Sequence, residues 1–274
     1  MPTPWVDVEK TKASLSAFFQ ENSKSINKFG TTVNQTFEAF VFATVVEWYK
    51  ENGWTVEIVH PEEWKRKEAR ATKKPGLRLK FNTRGRPSGY SYARAIKAEK
   101  EVEIRHQLRV ATAHYRPGDR PRANICLDVA VIEPNDCDAM TSDDHVESPT
   151  LVTFAEAKHM SAFAELVANF VGLVHELQPT RLSRVRSKKR PQPPSTHPAP
   201  FLYVSGIVYP TAQGIIRTIK RRRYDIDVYD QTSALVEGLQ LELMPARKKK
   251  VTTTKNAKAT PRLRLRRRRT TDEK

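Results

Sequence analysis

The chain reads as a mixed α/β domain, a central β-sheet flanked by helices. Short apolar or alternating runs recur at 54–59, 77–81, 102–110, 124–133, 151–158, 201–208 and 224–229, too brief to be helices. Apolar stripes at helical spacing interleave with them at 34–50, 161–177 and 211–223. Because the two patterns alternate instead of segregating, strands and helices are expected in layers, with helices on both faces of one sheet. A chain of 274 residues suffices for one good-sized core plus appendages. The expected organisation is an N-terminal helix within 1–30, one α/β domain over 31–244 and a disordered basic tail over 245–274. A basic, proline-rich insertion interrupts the domain at 178–200.

Taken in order, residues 8–30 carry Leu15, Phe18, Phe19 and Ile26 on one helical side and end near Gly30. Asn34 is the expected cap of a stronger helix to about Lys50, whose stripe is Phe37, Phe40, Val41, Thr44, Val45 and Trp48. Asn52-Gly53 stops it, and Trp54 to Val59 alternates as a strand. Leu77, Leu79 and Phe81 alternate with Arg78 and Lys80, after which Arg84 to Gly89 turns the chain and Tyr90-Ser91-Tyr92 returns as a partner strand. Val102, Ile104, His106, Leu108 and Val110 alternate with Glu103, Arg105, Gln107 and Arg109, which predicts a strand with one polar face. On that reading His106 is a satisfied core histidine and Glu103 is solvated. Residues 124–133 and 151–158 are buried strands, separated by an acidic loop. Ser161 is the expected cap of a long apolar helix that Pro179 ends. The strand from Phe201, a helix capped by Thr211, a strand at 224–229 and a closing helix from Ser233 to Leu243 complete the domain.

Net charge is +17, and its distribution matters more than its size. From Arg247 onward, thirteen Lys and Arg face only Asp272 and Glu273. A second run, Arg181, Arg184, Arg186, Lys188, Lys189 and Arg190, contains no acid. Such clusters bind polyanions by releasing phosphate counterions, so these residues and Arg266, Arg267, Arg268 and Arg269 are the expected nucleic-acid contacts. A solubilising tail is the plainer alternative. No stretch reaches the roughly 20 apolar residues of a membrane span. Met1-Pro2-Thr3-Pro4-Trp5 lacks a secretory pattern, and two cysteines, Cys126 and Cys137, fit a reducing compartment. The expected location is cytoplasmic, or nuclear in a eukaryote. Gly-rich phosphate loops, GxSxG elbows, HExxH helices and zinc-finger spacings are missing from the sequence.

Four charged residues interrupt apolar stretches. Glu38 lies in Phe37-Glu38-Ala39-Phe40, Asp128 in Leu127-Asp128-Val129-Ala130, and Glu156 and Lys158 in Phe154-Ala155-Glu156-Ala157-Lys158. A carboxylate carried into a core costs several kcal/mol unless it is paired, hydrogen-bonded or bound to a metal. Glu156 and Lys158 are two apart, so on a strand they share a face, and Ala157 points away. Asp128, on a neighbouring strand, is expected across from Glu156, where two ionised carboxylates repel until a cation joins them. Oxygen-only ligands favour Mg2+ or Mn2+ over zinc, with the Ala157 carbonyl a natural further ligand. Lys158 suits the orientation of an attacking water or the stabilisation of phosphoryl charge. Glu38 is placed to hold a water on the ion or to help bind a second ion.

In this order, Glu38 on a helix, Asp128 on a strand and Glu156-Ala157-Lys158 on the next, the residues resemble the PD-(D/E)xK nuclease superfamily, of restriction-endonuclease-like fold. The likeness spans about 34–230, with Leu127 where the family name has proline, and the Gln35-Thr36-Phe37-Glu38 helix is most similar to Mrr-type enzymes. It implies Asp128 and Glu156 as metal ligands, Lys158 as catalytic and Glu38 as an accessory acid. The expected function is therefore Mg2+- or Mn2+-dependent nuclease activity, on DNA before RNA, in defence or DNA processing, alone or with a protein partner that supplies targeting. Two alternatives stand beside it: a non-catalytic nucleic-acid-binding or assembly protein that keeps the fold, and a structural basic protein held to RNA by its tail.

Overall fold

The structure, a computed structural model, describes residues 33–61, 76–81, 83, 85–120, 122–135, 137–141, 144–183, 196–230, 232, 233 and 235. The expected helices at 8–30 and 233–243, residues 184–195 of the insertion expected at 178–200, and the tail lie outside the described residues, apart from Ser233 and Leu235.

Helix α1 runs over Val33–Glu51 and is followed by strand β1 over Thr55–Val59. Strands β2 (Tyr92–Lys97), β3 (Lys100–Ala111), β4 (Asn124–Ile132) and β5 (Leu151–Lys158) come next. Helix α2 (Ala164–Leu177), β6 (Phe201–Val204), α3 (Pro210–Arg222) and β7 (Asp227–Tyr229) complete the described elements. The seven strands make one sheet in sequence order. From β1 to β5 every neighbour is antiparallel, and β5, β6 and β7 are parallel. Parallel neighbours need a crossover, and the apolar helix α2 and the amphipathic helix α3 supply them. The fold is thus the mixed α/β sheet with helices that the interleaved patterns predict.

Two apolar clusters lie on its two faces. Phe37, Val41, Val45 and Tyr49 of α1 pack with Val102, Ile104, Val129, Val131, Ala155, Phe201 and Tyr203. Val167, Phe170 and Val174 of α2 and Ala212 and Ile219 of α3 pack with Leu108, Leu127, Ala130, Phe154, Leu202 and Val204. Strand β6 divides its residues between the clusters with period two, as a strand covered on both faces must. Helix α1 is buried almost all round, since Leu77 and Leu79 join its cluster as well. Phe37 and Phe40 both meet the Tyr203 ring edge-on, at centroid distances of 5.7 and 5.8 Å. Those contacts pin the first turns of α1 over β6.

Several local expectations are corrected. Residues 76–81 form no strand; the segment is tied instead by Ser91 N–H donating to Arg78 O at 2.8 Å. Lys80 is accordingly buried, where alternation placed it outward. Strand β6 stops at Val204 and β7 covers only 227–229, both shorter than expected. Helix α2 starts at Ala164 after Phe163, and α3 at Pro210 after Tyr209; neither has a side-chain cap bond, so Ser161 and Thr211 do not cap. Asn34 sits inside α1, one residue past its start. Gly53, at φ +78°, ends α1 as expected.

Candidate active site

The site is built where β4 and β5 part. Their ladder pairs Ile132 with Leu151, Val131 with Thr153, Ala130 with Phe154 and Val129 with Ala155, and goes no further. Beyond that point β5 pairs only with β6, from Glu156 opposite Leu202 to Lys158 opposite Val204, while β4 continues against β3 alone. The fork leaves ladder groups of β5 unpaired on the β4 side, and Asp128 fills the gap. Its Oδ2 accepts the backbone N–H of Ala157 at 2.9 Å. A side chain therefore takes the place of a ladder carbonyl and is held rigidly by it.

The same oxygen, Oδ2, accepts from Lys158 Nζ at 2.9 Å, and Nζ also donates to Glu156 Oε2 at 2.7 Å. Asp128, Glu156 and Lys158 thus converge as predicted, with the ammonium in the notch between two buried carboxylates. Lys158 alone of the three is substantially open, its side chain 37% exposed. Burial pushes the Glu156 carboxyl up to about 7, the Asp128 charge pushes the same way, and Lys158 only partly offsets them. Burial by itself would lower the Lys158 ammonium, but Glu156 and Asp128 outweigh it and hold the group above the ordinary lysine value. The pair of carboxylates demands a positive charge, and in this structure Lys158 provides it.

Glu38 reaches the same place from α1. Gln107 Nε2 donates to Glu38 Oε2 at 3.0 Å and to Asp128 Oδ1 at 3.1 Å, joining α1 to the fork. Gln107 is a residue the sequence pattern put on a solvated polar face, yet it is buried. The reason is local: Gln107 has φ +55°, left-handed backbone in mid-strand. Period-two alternation fails there. Val102 and Ile104 of β3 join the α1 cluster, but Leu108 and Val110 join the cluster of α2 and α3. Strand β4 makes the same change between Leu127 and Val129, on either side of Asp128. Glu103, expected to be solvated, is buried and paired with Arg105 at 2.7 Å, which in turn lies over the Tyr92 ring. His106 is only half satisfied. Its Nδ1 meets the Lys80 carbonyl, whereas Nε2 lies 3.4 Å from Glu38 Oε2 without hydrogen-bond geometry.

Arg181 is committed within the chain: its guanidinium pairs with Asp225 and donates to Val152 O at 3.1 Å. Those contacts brace the turn after α2, so Arg181 is engaged within the chain. Arg184, Arg186, Lys188, Lys189, Arg190 and Arg266 to Arg269 lie outside the described residues. The chemistry of the donor set fits a hard divalent ion: two carboxylates already share one cationic group, and no histidine or thiol belongs to the pair. Among the described residues no group of three or more His, Cys, Asp or Glu converges at metal-ligand spacing. A cation held here would therefore draw part of its shell from water and substrate, the habit of Mg2+. Among the described residues no helix is long and apolar enough to cross a membrane. Comparison of the chain with protein-family models, with curated proteins and with solved structures found no match.

Proposed function

We propose that the chain is a divalent-metal-dependent nuclease of restriction-endonuclease-like fold that hydrolyses phosphodiester bonds of DNA. The observation that carries the reading is the convergence of Asp128, Glu156 and Lys158 at the fork between β4 and β5, with one ammonium shared by two buried carboxylates. Asp128 and Glu156 would hold Mg2+ or Mn2+, with the Ala157 carbonyl as a further ligand. Bound there, the ion supplies Lewis-acid polarisation of the phosphoryl group. Lys158 remains protonated beside the carboxylates, where Nζ orients the attacking water and offsets charge on the phosphoryl oxygens. The Lys158 side chain is 37% exposed, so substrate has access to this residue. Ala157 N–H and the Gln107 amide hold Asp128 in place, and Glu38 serves as the accessory acid. The basic clusters add sequence-independent affinity for the polyanion.

The test is cleavage of duplex and single-stranded DNA and of RNA, with Mg2+, with Mn2+ and with chelator. Asp128→Ala, Glu156→Ala and Lys158→Ala are each expected to cut cleavage by about a hundredfold or more while leaving binding in place. Wild-type protein that binds every substrate and cuts none with either ion would end the reading. One observation favours a second reading, a non-catalytic nucleic-acid-binding or assembly protein: Lys158 pairs with both carboxylates and so offsets part of their charge from within the chain. That reading requires a melting temperature indifferent to Mg2+ and binding without hydrolysis.

A further inference from the structure

Gln107 is the most constrained side chain around the fork that the proposed chemistry leaves without a reacting role. Its backbone is left-handed at φ +55°, a conformation that glycine adopts freely and glutamine does not. It stands opposite Asp128 where β3 and β4 both exchange one apolar cluster for the other. Its amide has a fixed sense. Oε1 accepts the Cys126 thiol at 3.3 Å, and Nε2 faces two carboxylates, Glu38 at 3.0 Å and Asp128 at 3.1 Å. The reverse orientation would set Oε1 against two carboxylate oxygens.

Two carboxylates reaching toward one another are the usual seat of a bridging cation. Here an NH2 group with hydrogens to donate but no lone pair for a metal occupies that seat. Unlike Lys158 between Asp128 and Glu156, whose side chain is 37% exposed and free to give way to an ion, Gln107 is buried and held in place. The amide oxygen, which could ligate, is turned away to Cys126. An ion bridging Glu38 and Asp128 would sit about 2.1 Å from each oxygen, inside the volume the amide nitrogen fills. Resting on the nuclease reading above, we infer that Gln107 is a positioning residue whose amide replaces a second cation between Glu38 and Asp128 and confines the site to one divalent ion. Glu38 then acts through Gln107 on the orientation of Asp128 and ligates no metal of its own. The left-handed backbone is the local cost of delivering an amide, and not a β-strand apolar side chain, to that position.

The experiment uses the full chain and Mn2+ alone, counted by calorimetry and examined by electron paramagnetic resonance. Wild-type protein is expected to bind about one Mn2+ per chain with the spectrum of an isolated ion. Gln107→Glu replaces the donor with a third oxygen ligand between Glu38 and Asp128. It is expected to raise the count to about two, with the loss of signal that marks two ions about 4 Å apart. A coupled pair in the wild-type protein overturns the inference and leaves the nuclease reading standing. So does a folded Gln107→Glu variant that still binds one ion. Absence of any Mn2+ binding by wild-type protein defeats both together. The wild-type count and spectrum decide the matter even if the variant fails to fold.

Discussion

At the scale of single residues, the site is held by unequal electrostatic demands, and Glu156 feels them most. Its carboxyl is raised above the ordinary value of about 4.5 because burial and Asp128 disfavour its charge. A carboxyl that binds its proton more tightly folded than unfolded stabilises the protein fully below the unfolded value. That contribution is lost as pH rises toward the folded value of about 7. Glu156→Gln has no such titration. In chelator, its melting temperature relative to wild type should therefore climb by a few degrees between pH 5 and pH 8, and Mg2+ should reverse the gain by stabilising only the wild type. A difference between the two melting curves that ignores both pH and Mg2+ would show that Glu156 is not under this strain. Asp128, Glu156 and Lys158 were legible in the sequence because apolar neighbours on both sides force a charged residue to find partners. The burial of His106 was legible as well, but Gln107 and Lys80 were not. Their visibility depended on strict alternation through β3 and the segment before it. A single left-handed residue, whose side chain is compatible with an ordinary strand, breaks that alternation without leaving a mark in composition.

At the scale of elements, the position of Lys158 depends on how the loops after β5 and β6 are laced. The Lys158 carbonyl accepts from Met160 N–H at 2.8 Å and Ser205 N–H at 3.1 Å, and the Met160 carbonyl accepts from Gly206 N–H at 3.2 Å. Gly206 permits this closeness: a Cβ there would lie 2.8 Å from both Cα and N of Ser161, with Oγ nearer still. Backbone atoms cannot swing aside as a side chain can. Gly206→Ala should therefore cost about 1–3 kcal/mol in urea unfolding, and removing the hydroxyl with Ser161→Gly should recover only a small part. Equal stability of Gly206→Ala and wild type would mean that the loops are looser than this lacing requires. Strands β1 and β3 were legible from period two, β4, β5 and β6 from continuous apolar runs, and α1, α2 and α3 from their apolar stripes, whereas the alternating segment 77–81 forms no strand and β2 was anticipated only at its first residue. Their ends were less so, because Ser161 and Thr211 look like caps yet the chain enters α2 and α3 through Phe163 and Tyr209. The fork was not legible at all, since where two strands stop pairing is decided by their neighbours, β3 and β6, and not by either strand.

At the scale of the whole molecule, charge is the property that sequence conveys without any knowledge of fold. The thirteen Lys and Arg from Arg247 onward leave the first 246 residues with a much smaller excess of positive charge. On the domain itself, Arg217, Lys220, Arg221 and Arg222 are exposed along α3 toward its C-terminus, where they also complement the helix dipole. On the proposed nuclease reading, affinity for a polyanion and chemistry at the fork should therefore separate. Each phosphate neutralised contributes roughly 0.9 to the slope of log affinity against log salt. Deleting residues 247–274 should lower that slope by several and weaken binding most at low salt. The dependence of single-turnover cleavage on Asp128, Glu156 and Lys158 should survive once the DNA is saturating. Fluorescence anisotropy across a salt series reads the first effect and single-turnover kinetics the second. If truncation abolished cutting at saturating DNA, the tail would be part of the catalytic assembly. If the salt slope stayed the same, the tail would be a solubilising appendage, and the domain's own basic face would carry the nucleic acid.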